Sequence, residues 1–473
     1  MSDLITKIDA LSPTLAKQKR AFDLERYPEY QQRLLDLQKL KDVLIDNQNA
    51  FVESLAKDFG HRSKDDSLIG DILTTVAGIN YHMKHLKKWM KPVRKHIGIL
   101  FQPASGRVMY QPLGVIGIIV PWNYPLFLSI GPLATALAAG NRAMIKMSEY
   151  TPRTNALLAE LMAQRFDKNK VTFVGGEADM AAAFSNLEFD HLFFTGSTAV
   201  GKHVLNAASK NMVPVTLELG GKSPAIIGKD MPIKTAVERF LFGKTLNAGQ
   251  TCVAPDYVFC PEDKVDELIN QTKTLFNKMF PKVSGNSDYT CIVNQGHYER
   301  LKGLLTDAES KGAKVLSLAQ NNEADDTERR VALRIVTNVN DEMKIAHEEI
   351  FGPLLIVMPY KEISEAITYI NARPRPLSLY VYSFDEQTQQ LIMRETIAGG
   401  VCINDASFHV ANEDLPFGGV GASGMGNYHG KEGFIRFSHT KSIFSRGRLS
   451  FASLLFPPYG KLTHRLVYKY FIR

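Results

Sequence analysis

The chain has 473 residues, of which 45% are hydrophobic and 22% are charged, and it carries a formal net charge of +7 at neutral pH. This composition is that of a globular chain and excludes an intrinsically disordered one, and the length predicts more than one hydrophobic core. The excess positive charge lies in residues 441–473, which contain no acidic residue, so a diffuse basic surface for nucleic acid is excluded.

The cysteines and the lengths of the apolar segments indicate the cellular compartment of the protein. The four cysteines form no CxxC pair and no metal-like cluster with histidines, which argues against a disulfide framework and against a bound metal. No stretch approaches the roughly 18 apolar residues of a membrane-spanning helix, and the first residues lack the apolar segment of a secretory signal. The sequence therefore predicts a reduced, cytoplasmic protein.

The first predicted elements are helices. Apolar residues spaced three and four apart predict a helical stretch over residues 30–59, and Gly60 gives that stretch a glycine stop. A second helical stretch is predicted over residues 69–89, before Pro92. Both stretches precede the first β-branched run of the chain.

From residue 114 onward the sequence alternates between short β-branched runs and helical patterns. Strands are predicted over 114–120, 143–147, 171–174 and 191–195, and then over 224–227, 257–260, 354–358, 377–382 and 401–404. Helices are predicted over 125–140, 232–247, 263–279 and 386–396. This alternation predicts parallel, doubly wound α/β structure in two units, with the change of unit around 217–221.

Two segments fit neither unit. Residues 91–107 and the residues after Gly426 do not follow the alternation, and we expect them to form an extended arm used for oligomerisation. Such an arm could also pair within its own chain.

Two motifs near the change of unit carry reactive side chains. Glu218 is followed by a Gly-Gly turn that permits close approach, and Cys252 follows the small-residue run Ala-Gly-Gln-Thr. A cysteine of ordinary pKa is only a few per cent thiolate at neutral pH, so a nucleophilic cysteine needs local activation. Taken alone, each motif also has a structural explanation, because a buried cysteine is usually inert and a glutamate beside glycines is usually solvated.

Five ordered motifs give these two residues a specific context. They are PWNYP at 121–125, FTGSTAVG at 194–201, ELGGKSP at 218–224, HEEIFGP at 347–353 and LPFGGVGASG at 415–424. Together with Cys252 they resemble the aldehyde dehydrogenase superfamily, and the last motif with YHGK at 428–431 resembles its class 3 branch. Within that branch the chain is most similar to bacterial coniferyl-aldehyde dehydrogenase-like enzymes.

The resemblance implies a catalytic role for three residues. Cys252 matches the nucleophile that attacks the aldehyde carbon and later carries a thioester, and Asn123 matches the side-chain donor to the oxyanion. Glu218 matches the general base that activates water to hydrolyse the thioester. Relatives that transfer the acyl group to coenzyme A generally lack this glutamate, so a free acid is the expected product and a CoA-acylating dehydrogenase is the alternative. The non-enzyme alternative is a catalytically silent structural or binding protein on the same fold.

The resemblance also implies a nicotinamide dinucleotide as cofactor. The positions that match the family's cofactor-binding residues are Trp122, Lys146, Glu149, Gly196, Ser197, Glu349 and Phe351. A carboxylate at Glu149 repels a 2′-phosphate, which favours NAD, while use of NADP stays open. The chain has no GxGxxG fingerprint in a strand–helix context, so the implied fold has a variant Rossmann lobe.

The implied architecture is an α/β fold with this cofactor lobe, a second α/β catalytic lobe and a small oligomerisation arm. The cofactor domain is expected over 1–90 and 108–217, the catalytic domain over 218–425 and the arm over 91–107 and 426–446. Tyr124 and His409 are expected to line the mouth of the substrate site. The substrate is an aromatic aldehyde such as coniferaldehyde, or a medium- or long-chain aliphatic aldehyde, and a homodimer is expected.

The last segment, residues 447–473, is rich in cations and aromatic residues. The cations of residues 441–473 are Lys441, Arg446, Arg448, Lys461, Arg465, Lys469 and Arg473. Aromatic residues among basic ones can hold a segment at an anionic membrane surface. The alternative is that the segment packs across a dimer partner.

Overall fold

The computed structural model describes residues 4–320 and 328–472. The helices are α1 (Leu11–Leu24), α2 (Tyr30–Asp46), α3 (Gln48–Phe59), α4 (Lys64–Ser67), α5 (Thr74–Trp89), α6 (Pro125–Ala139), α7 (Pro152–Ala163), α8 (Ala178–Ser185), α9 (Thr198–Ser209), α10 (Ile233–Thr245), α11 (Val265–Met279), α12 (Gln295–Ser310), α13 (Lys344–His347), α14 (Ile363–Asn371), α15 (Glu386–Glu395), α16 (Gly430–Arg436) and α17 (Leu462–Phe471).

The strands form three sheets. They are β1 (Val93–Lys95), β2 (Ser105–Pro112), β3 (Val115–Ile119), β4 (Arg142–Lys146), β5 (Val171–Val174), β6 (His191–Gly196), β7 (Val215–Leu219), β8 (Pro224–Ile227), β9 (Tyr257–Pro261), β10 (Lys314–Ser317), β11 (Arg334–Thr337), β12 (Leu354–Tyr360), β13 (Ser378–Tyr382), β14 (Gly400–Ile403), β15 (Gly424–Met425) and β16 (Ser438–Ser445).

The helical stretches predicted before residue 90 are present, with one interruption. The first stretch is divided into α2 and α3 because Asn47 leaves the helical conformation, with φ −118° and ψ 16°. Its side-chain amide donates to the Val43 carbonyl instead. Gly60, with φ +81°, ends α3 as predicted. The second stretch contains a π-helical segment, Leu68–Leu73, between α4 and α5.

The first α/β unit is a six-stranded sheet with the strand order β15-β7-β6-β3-β4-β5. Strands β3 to β7 are parallel, and the short β15 is antiparallel to β7. Every residue of β3 and β5 is buried, because helices cover both faces of a parallel sheet. The four strands predicted before residue 200 are thereby confirmed.

The second unit is a seven-stranded sheet with the strand order β10-β11-β12-β9-β8-β13-β14. Its strands are parallel except β10, which runs antiparallel to β11 at one edge. The five strands predicted for this unit are present, whereas the edge strand β10 and its neighbour β11 were not predicted. All residues of β8 and β9 are buried, which places the second core beneath the middle of this sheet.

The chain passes from one sheet to the other after β7. Glu218 lies on β7, where it pairs in register with Thr195 of β6 and with Gly424 of β15. The domain division predicted at residues 217 and 218 therefore falls inside a strand of the first sheet, and the crossover follows Leu219. Glu218 stands at the carboxyl end of β7, an edge at which open α/β sheets bind ligands.

The two segments that fit neither unit meet in a three-stranded sheet with the order β1-β2-β16. Strand β16 pairs antiparallel with β2 over its full length, from Ser438 opposite Pro112 to Ser445 opposite Ser105. The arm therefore pairs within its own chain. Beyond it, residues 452–455 form a 3₁₀ turn before α17, whereas Arg473 lies outside the described residues.

Within the described ranges, 4–320 and 328–472, no helix combines the length and the apolar character needed to cross a bilayer.

Candidate active site

A cavity of about 730 Å³ lies where the carboxyl ends of the six-stranded sheet meet loops of the seven-stranded sheet. Asn123 follows β3, Gly196 ends β6 and Glu218 lies near the end of β7, and all three line the cavity. Cys252 and Phe351 approach from loops that precede β9 and β12. A volume of this size is typical of a small-molecule or cofactor site.

The cysteine loop is held in an unusual backbone conformation. Asn247, Ala248 and Gly249 all have positive φ, of 52°, 52° and 74°. A Cβ on Gly249 would lie 2.5 Å from the carbonyl oxygen of Gly352, so only glycine allows this close approach between the two loops. Left-handed non-glycine residues are strained, and they persist where the surrounding structure over-determines the conformation.

Gln250 holds the backbone of this loop in its left-handed conformation. It is fully buried, and its side-chain amide donates to the carbonyls of Asn247 and Cys291, both at 3.0 Å. Its side-chain oxygen accepts the Val293 N–H at 2.9 Å. These three hydrogen bonds fix the backbone two residues before Cys252.

Cys252 is half-buried and lines the cavity. Burial, with the nearby carboxyls of Glu349 and Glu218, raises the pKa of its thiol to about 12, although backbone N–H groups of residues 252 and 253 act in the opposite direction. The thiol is therefore protonated at neutral pH in this arrangement. Its reaction as a nucleophile requires a base to remove that proton.

Asn123 is positioned against the cysteine loop by its side chain and its backbone. Its side-chain amide donates to the Gln250 carbonyl at 3.1 Å, and its own carbonyl accepts from Asn247 Nδ2 at 3.1 Å and from Arg62 Nη1 at 3.0 Å. The next residue, Tyr124, shares a hydrogen bond of 2.9 Å between its hydroxyl and Thr251 Oγ1. The segment after β3 and the cysteine loop are thus joined on both sides of Asn123.

Glu218 is 3% exposed, and neither carboxylate oxygen has a hydrogen-bond partner among the described residues. Burial raises the pKa of its carboxyl well above the ordinary value, and the positive charge of Arg436 partly offsets this effect. A buried, unpaired carboxyl of this kind is suited to exchange a proton with a group that enters the cavity.

Glu349 reaches the cavity because of the glycines that follow Glu218. A Cβ on Gly220 would lie 2.2 Å from Glu349 Oε2, and the Gly221 N–H donates to the same carboxylate. Burial, and then the negative charge of Asp256, raise the pKa of Glu349 to about 8. Its Oε1 is buried and has no partner in residues 4–320 and 328–472, so it is free to accept from a ligand hydroxyl.

The residues expected to hold a dinucleotide fall into two groups. The cavity is lined by Trp122, Gly196, Ser197, Glu349 and Phe351. Ser197 caps α9 through a hydrogen bond from the Val200 N–H to its Oγ, and the free N–H groups of such a helix end attract phosphate. An aromatic slot, an orphaned carboxylate oxygen and a helix N-terminus fit the nicotinamide, a ribose and a pyrophosphate.

Lys146 and Glu149 lie outside this cavity lining. The Lys146 ammonium is buried and donates to the carbonyls of Met147 and Gly176, at 2.7 and 2.8 Å, which leaves one of its three donors unused. Glu149 is exposed three residues further on. Both residues follow the carboxyl end of β4, next to the strand that leads into Asn123.

The other half of the cavity is apolar. Its walls are Ile69, Tyr124, Phe127, Leu128, Phe242, Leu246, Phe408, Val410, Phe417 and Tyr428. His409 does not line this space, because its Nε2 is hydrogen-bonded at 2.9 Å to Ser378 Oγ and its ring packs on Tyr380. Tyr124 lines the cavity as predicted. The residues on either side of His409, within 407–411, line the cavity where His409 was expected.

Sequence motifs did not reveal Arg62, a fully buried cation behind the site. Arg62 forms an ion pair of 2.9 Å with Asp71, and both side chains are 0% exposed. Its guanidinium also lies over the rings of Phe59 and Tyr124, at 4.9 and 5.0 Å from their centroids. Its contacts with the site, to the Asn123 carbonyl and the Tyr124 ring, join it to residues about sixty positions away along the chain.

Comparison with known proteins places this geometry in a family. The model of the aldehyde dehydrogenase family matches residues 11–443. The chain belongs to the aldehyde dehydrogenase family. It is 52% identical to a probable coniferyl aldehyde dehydrogenase of Pseudomonas aeruginosa, over 99% of this chain and 97% of that protein. It is 37% identical to aldehyde dehydrogenase family 3 member A2 of Rattus norvegicus, over 90% of this chain and 87% of that protein.

Solved structures agree with this assignment. The substrate-bound state of Staphylococcus aureus AldH matches with a TM-score of 0.92 and 38% identity, over 98% of this chain and 99% of that chain. A Mycobacterium tuberculosis aldehyde dehydrogenase complexed with NAD+ matches with a TM-score of 0.85 and 27% identity, over 94% and 92% of the two chains. The predicted family, class 3 resemblance, fold and cofactor are confirmed, and the chain is an NAD(P)-dependent aldehyde dehydrogenase that forms a carboxylic acid.

Proposed function

We propose that this enzyme oxidises a lipophilic, preferably aromatic, aldehyde, with Cys252 as nucleophile, Asn123 as oxyanion donor and Glu218 as general base. The observation that carries the proposal is that these three side chains line one cavity together with Glu349 and Phe351. Nucleophile, base and oxyanion donor are the groups that acyl transfer through a cysteine requires.

The first step is formation of the covalent adduct. Glu218 takes the thiol proton of Cys252, directly or through one water, and the thiolate attacks the aldehyde carbon. Asn123 Nδ2 and the Cys252 N–H donate hydrogen bonds to the oxygen of the resulting thiohemiacetal. The hydrogen bond from Asn123 Nδ2 to the Gln250 carbonyl holds this donor against the loop that carries Cys252.

The second step releases the acid. A nicotinamide dinucleotide bound in the slot would supply the hydride acceptor, and loss of the hydride from the adduct would leave a thioester on Cys252. Glu218 then removes a proton from water, the oxygen of that water attacks the thioester carbon, and the carboxylic acid leaves as the Cys252 sulfur is protonated. Glu349, Trp122 and Phe351 line the slot and would hold and orient the cofactor there.

The apolar half of the cavity supports the substrate class. Aromatic and aliphatic walls bind a lipophilic ring or chain, and they offer few partners to a sugar or amino-acid aldehyde. Relatives named for coniferyl aldehyde support an aromatic substrate. We propose coniferaldehyde or a similar aromatic aldehyde first, and a medium- or long-chain aliphatic aldehyde second.

Single-turnover kinetics test the proposed residues. We expect Cys252→Ala to form no reduced nicotinamide, and Asn123→Ala to lower turnover about 10²–10³-fold. We expect Glu218→Gln to lower both the formation of reduced nicotinamide and the hydrolysis of the thioester by about 10²–10⁴-fold, because Glu218 is the base in both steps. Full turnover by Cys252→Ala, or acid release without coenzyme A at an unchanged rate by Glu218→Gln, contradicts the assignment.

We further propose a cytoplasmic homodimer that uses the arm. Its supports are the four free thiols, which suit a reducing compartment, and the edge strand β16, which leaves one side available for pairing. Sedimentation equilibrium of the purified enzyme measures its mass. A monomer at micromolar concentration contradicts the dimer.

A further inference from the structure

Residues 446–472 form a small module, here called the basic module, that is held together by its own hydrogen bonds. Lys461 Nζ donates to the Phe456 carbonyl at 3.1 Å, and Thr463 Oγ1 donates to the Leu454 carbonyl at 3.0 Å. The Lys461 N–H donates to His464 Nδ1 at 3.2 Å. These contacts fasten the 3₁₀ turn at 452–455 against the start of α17.

His464 is the core of the basic module. It is 2% exposed, and its ring lies between those of Tyr459 and Tyr468, at centroid distances of 5.6 and 6.2 Å. The module therefore has a fixed inner side. Its other apolar residues are left on the outer side.

The outer side of α17 carries two adjacent stripes. Lys461, Arg465 and Lys469 are spaced by four residues, and so are Leu462, Leu466 and Tyr470, one position further along. Residues four apart lie on one face of a helix, so each set forms a line along the helix axis. The apolar set is strongly exposed, with fractions of 72%, 48% and 76%.

The 3₁₀ turn extends the apolar stripe. Phe451 and Phe456 are 59% and 58% exposed. A monomer seldom exposes so many large apolar side chains together unless the surface has a partner. The charge of the module restricts what that partner is, because no acidic residue follows Glu432 whereas the chain up to residue 440 is balanced.

We propose that the basic module docks on the headgroup region of a bilayer that contains anionic phospholipid. The apolar stripe enters the boundary between headgroups and acyl chains, and the cationic stripe stays at the level of the phosphates. A bilayer suits the module better than an acidic protein, because the aromatic and aliphatic side chains need an apolar layer beside the anionic one.

Flotation of the full-length enzyme with vesicles tests the proposal. We expect binding to phosphatidylglycerol vesicles at low salt, weaker binding at high salt and no binding to phosphatidylcholine vesicles. The variant Arg465→Gln/Lys469→Gln should lower the partition coefficient by roughly 25-fold, at about five-fold for each cation. The matched control Lys273→Gln/Lys278→Gln removes two exposed cations elsewhere and should bind as the wild type does.

A second variant separates the apolar stripe from the charges. Leu462→Ser/Leu466→Ser/Tyr470→Ser should also abolish flotation, and both variants should retain wild-type turnover of a small water-soluble aldehyde, which shows that they fold. Failure of the wild-type enzyme to bind phosphatidylglycerol vesicles at low salt overturns the proposal. Equal flotation of the wild type and the cationic-stripe variant overturns it too. The proposal is also overturned if the wild type is a dimer, the stripe variants are monomers, and all of them float equally.

Discussion

The surroundings of Glu218 disfavour the ionised form of its carboxyl group. It is buried, and its pKa is raised well above the ordinary value. Among the described residues, the groups that interact with its charge are Cys252, Tyr428 and the cation Arg436. Thr216 and Glu218 lie on the same face of β7, and a Cβ on Gly426 would contact both Thr216 and the Arg436 guanidinium, at 3.3 and 3.4 Å. Arg436 therefore lies near Thr216, which is two residues before the base Glu218 on the same face of β7.

The pH dependence of thioester hydrolysis should report this arrangement. A base acts when ionised, so the rate rises with pH through the pKa of Glu218, and loss of a nearby positive charge raises that pKa further. We expect Arg436→Gln to move the rising limb of kcat to higher pH, measured with an aldehyde whose thioester hydrolysis is rate-limiting. Arg436→Lys keeps the charge and should keep the limb in place. Identical pH profiles for the wild type and Arg436→Gln contradict this role.

Gly70 makes room for the aromatic ring beside the nucleophile. A Cβ at this position would lie 2.4 Å from Tyr124 Cε1, and the ring cannot withdraw freely because Arg62 lies over it and Thr251 holds its hydroxyl. We expect Gly70→Ala to destabilise the enzyme by about 1–3 kcal/mol through overpacking, and to lower kcat because Thr251 precedes Cys252.

Denaturant unfolding and steady-state kinetics measure both effects of Gly70→Ala. Gly303 in α12 is the control, because a Cβ there meets nothing within 4 Å. Gly303→Ala should stabilise the helix by about 0.5–1 kcal/mol and leave kcat unchanged. The steric explanation is wrong if Gly70→Ala is as stable and as active as the wild type.

At the scale of elements, the start of α6 is held by one buried carboxylate. Asp71 Oδ1 accepts the N–H groups of Leu126 and Phe127, at 3.0 and 3.1 Å, and the other oxygen pairs with Arg62. The π-helical segment is thus joined to the first turn of α6, which begins two residues after Asn123. These contacts connect the N-terminal helices to the catalytic site.

We expect Asp71→Ala to lower the free energy of unfolding by about 3–5 kcal/mol, because it leaves Arg62 charged, buried and unpaired. Turnover should also fall, since Arg62 holds the backbone of Asn123. Urea unfolding followed by circular dichroism measures the first effect. Glu53→Ala, which removes the exposed partner of Lys57, should change stability by less than about 0.5 kcal/mol. Equal losses for the two variants rule out a special contribution from the buried pair.

The elements that sequence patterns predicted best are those whose burial is complete. Strands β3 and β9 are covered on both faces, so their β-branched and aromatic runs are unbroken. Strand β10 was missed because it is a mostly exposed edge strand of four residues that lacks an apolar run. The break at Asn47 was missed because the apolar spacing continues across it, while a local side-chain hydrogen bond ends the helix.

Some residues of the candidate site were identified from the sequence, and others were missed. Cys252, Glu218 and Asn123 stand in short motifs whose neighbours are close in sequence, so a resemblance identified them. Arg62 and Gly70 are significant through contacts with residues more than fifty positions away, which no local pattern encodes. His409 was misplaced among the wall residues because the 3₁₀ turn at Phe408–Ala411 directs its ring toward Ser378.

At the scale of the whole molecule, the cofactor slot joins the two sheets. Gly196 and Ser197 belong to the first sheet and its helix, whereas Glu349 and Phe351 belong to a loop of the second. We expect NAD at 100 times its Kd to stabilise the folded enzyme by about 2.7 kcal/mol, seen as a higher midpoint of thermal unfolding.

The exposed carboxylate of Glu149 should make NADP less effective than NAD in that measurement. Glu149→Gln should narrow the difference between the two cofactors without lowering the effect of NAD by more than a few-fold. Equal protection by NAD and NADP in the wild type would show that Glu149 does not discriminate between them.

The reacting groups are divided between the sheets, with Glu218 on β7 and Cys252 on the loop that precedes β9. Hydrogen bonds cross this seam at several places, among them Asn123–Gln250, Tyr124–Thr251 and Ser63–Thr290. A displacement of about 1 Å between positioned groups is enough to cost a large part of the rate. The rate therefore depends on how closely the two halves are held together, so a change that loosens the join should slow turnover even where each sheet keeps its fold.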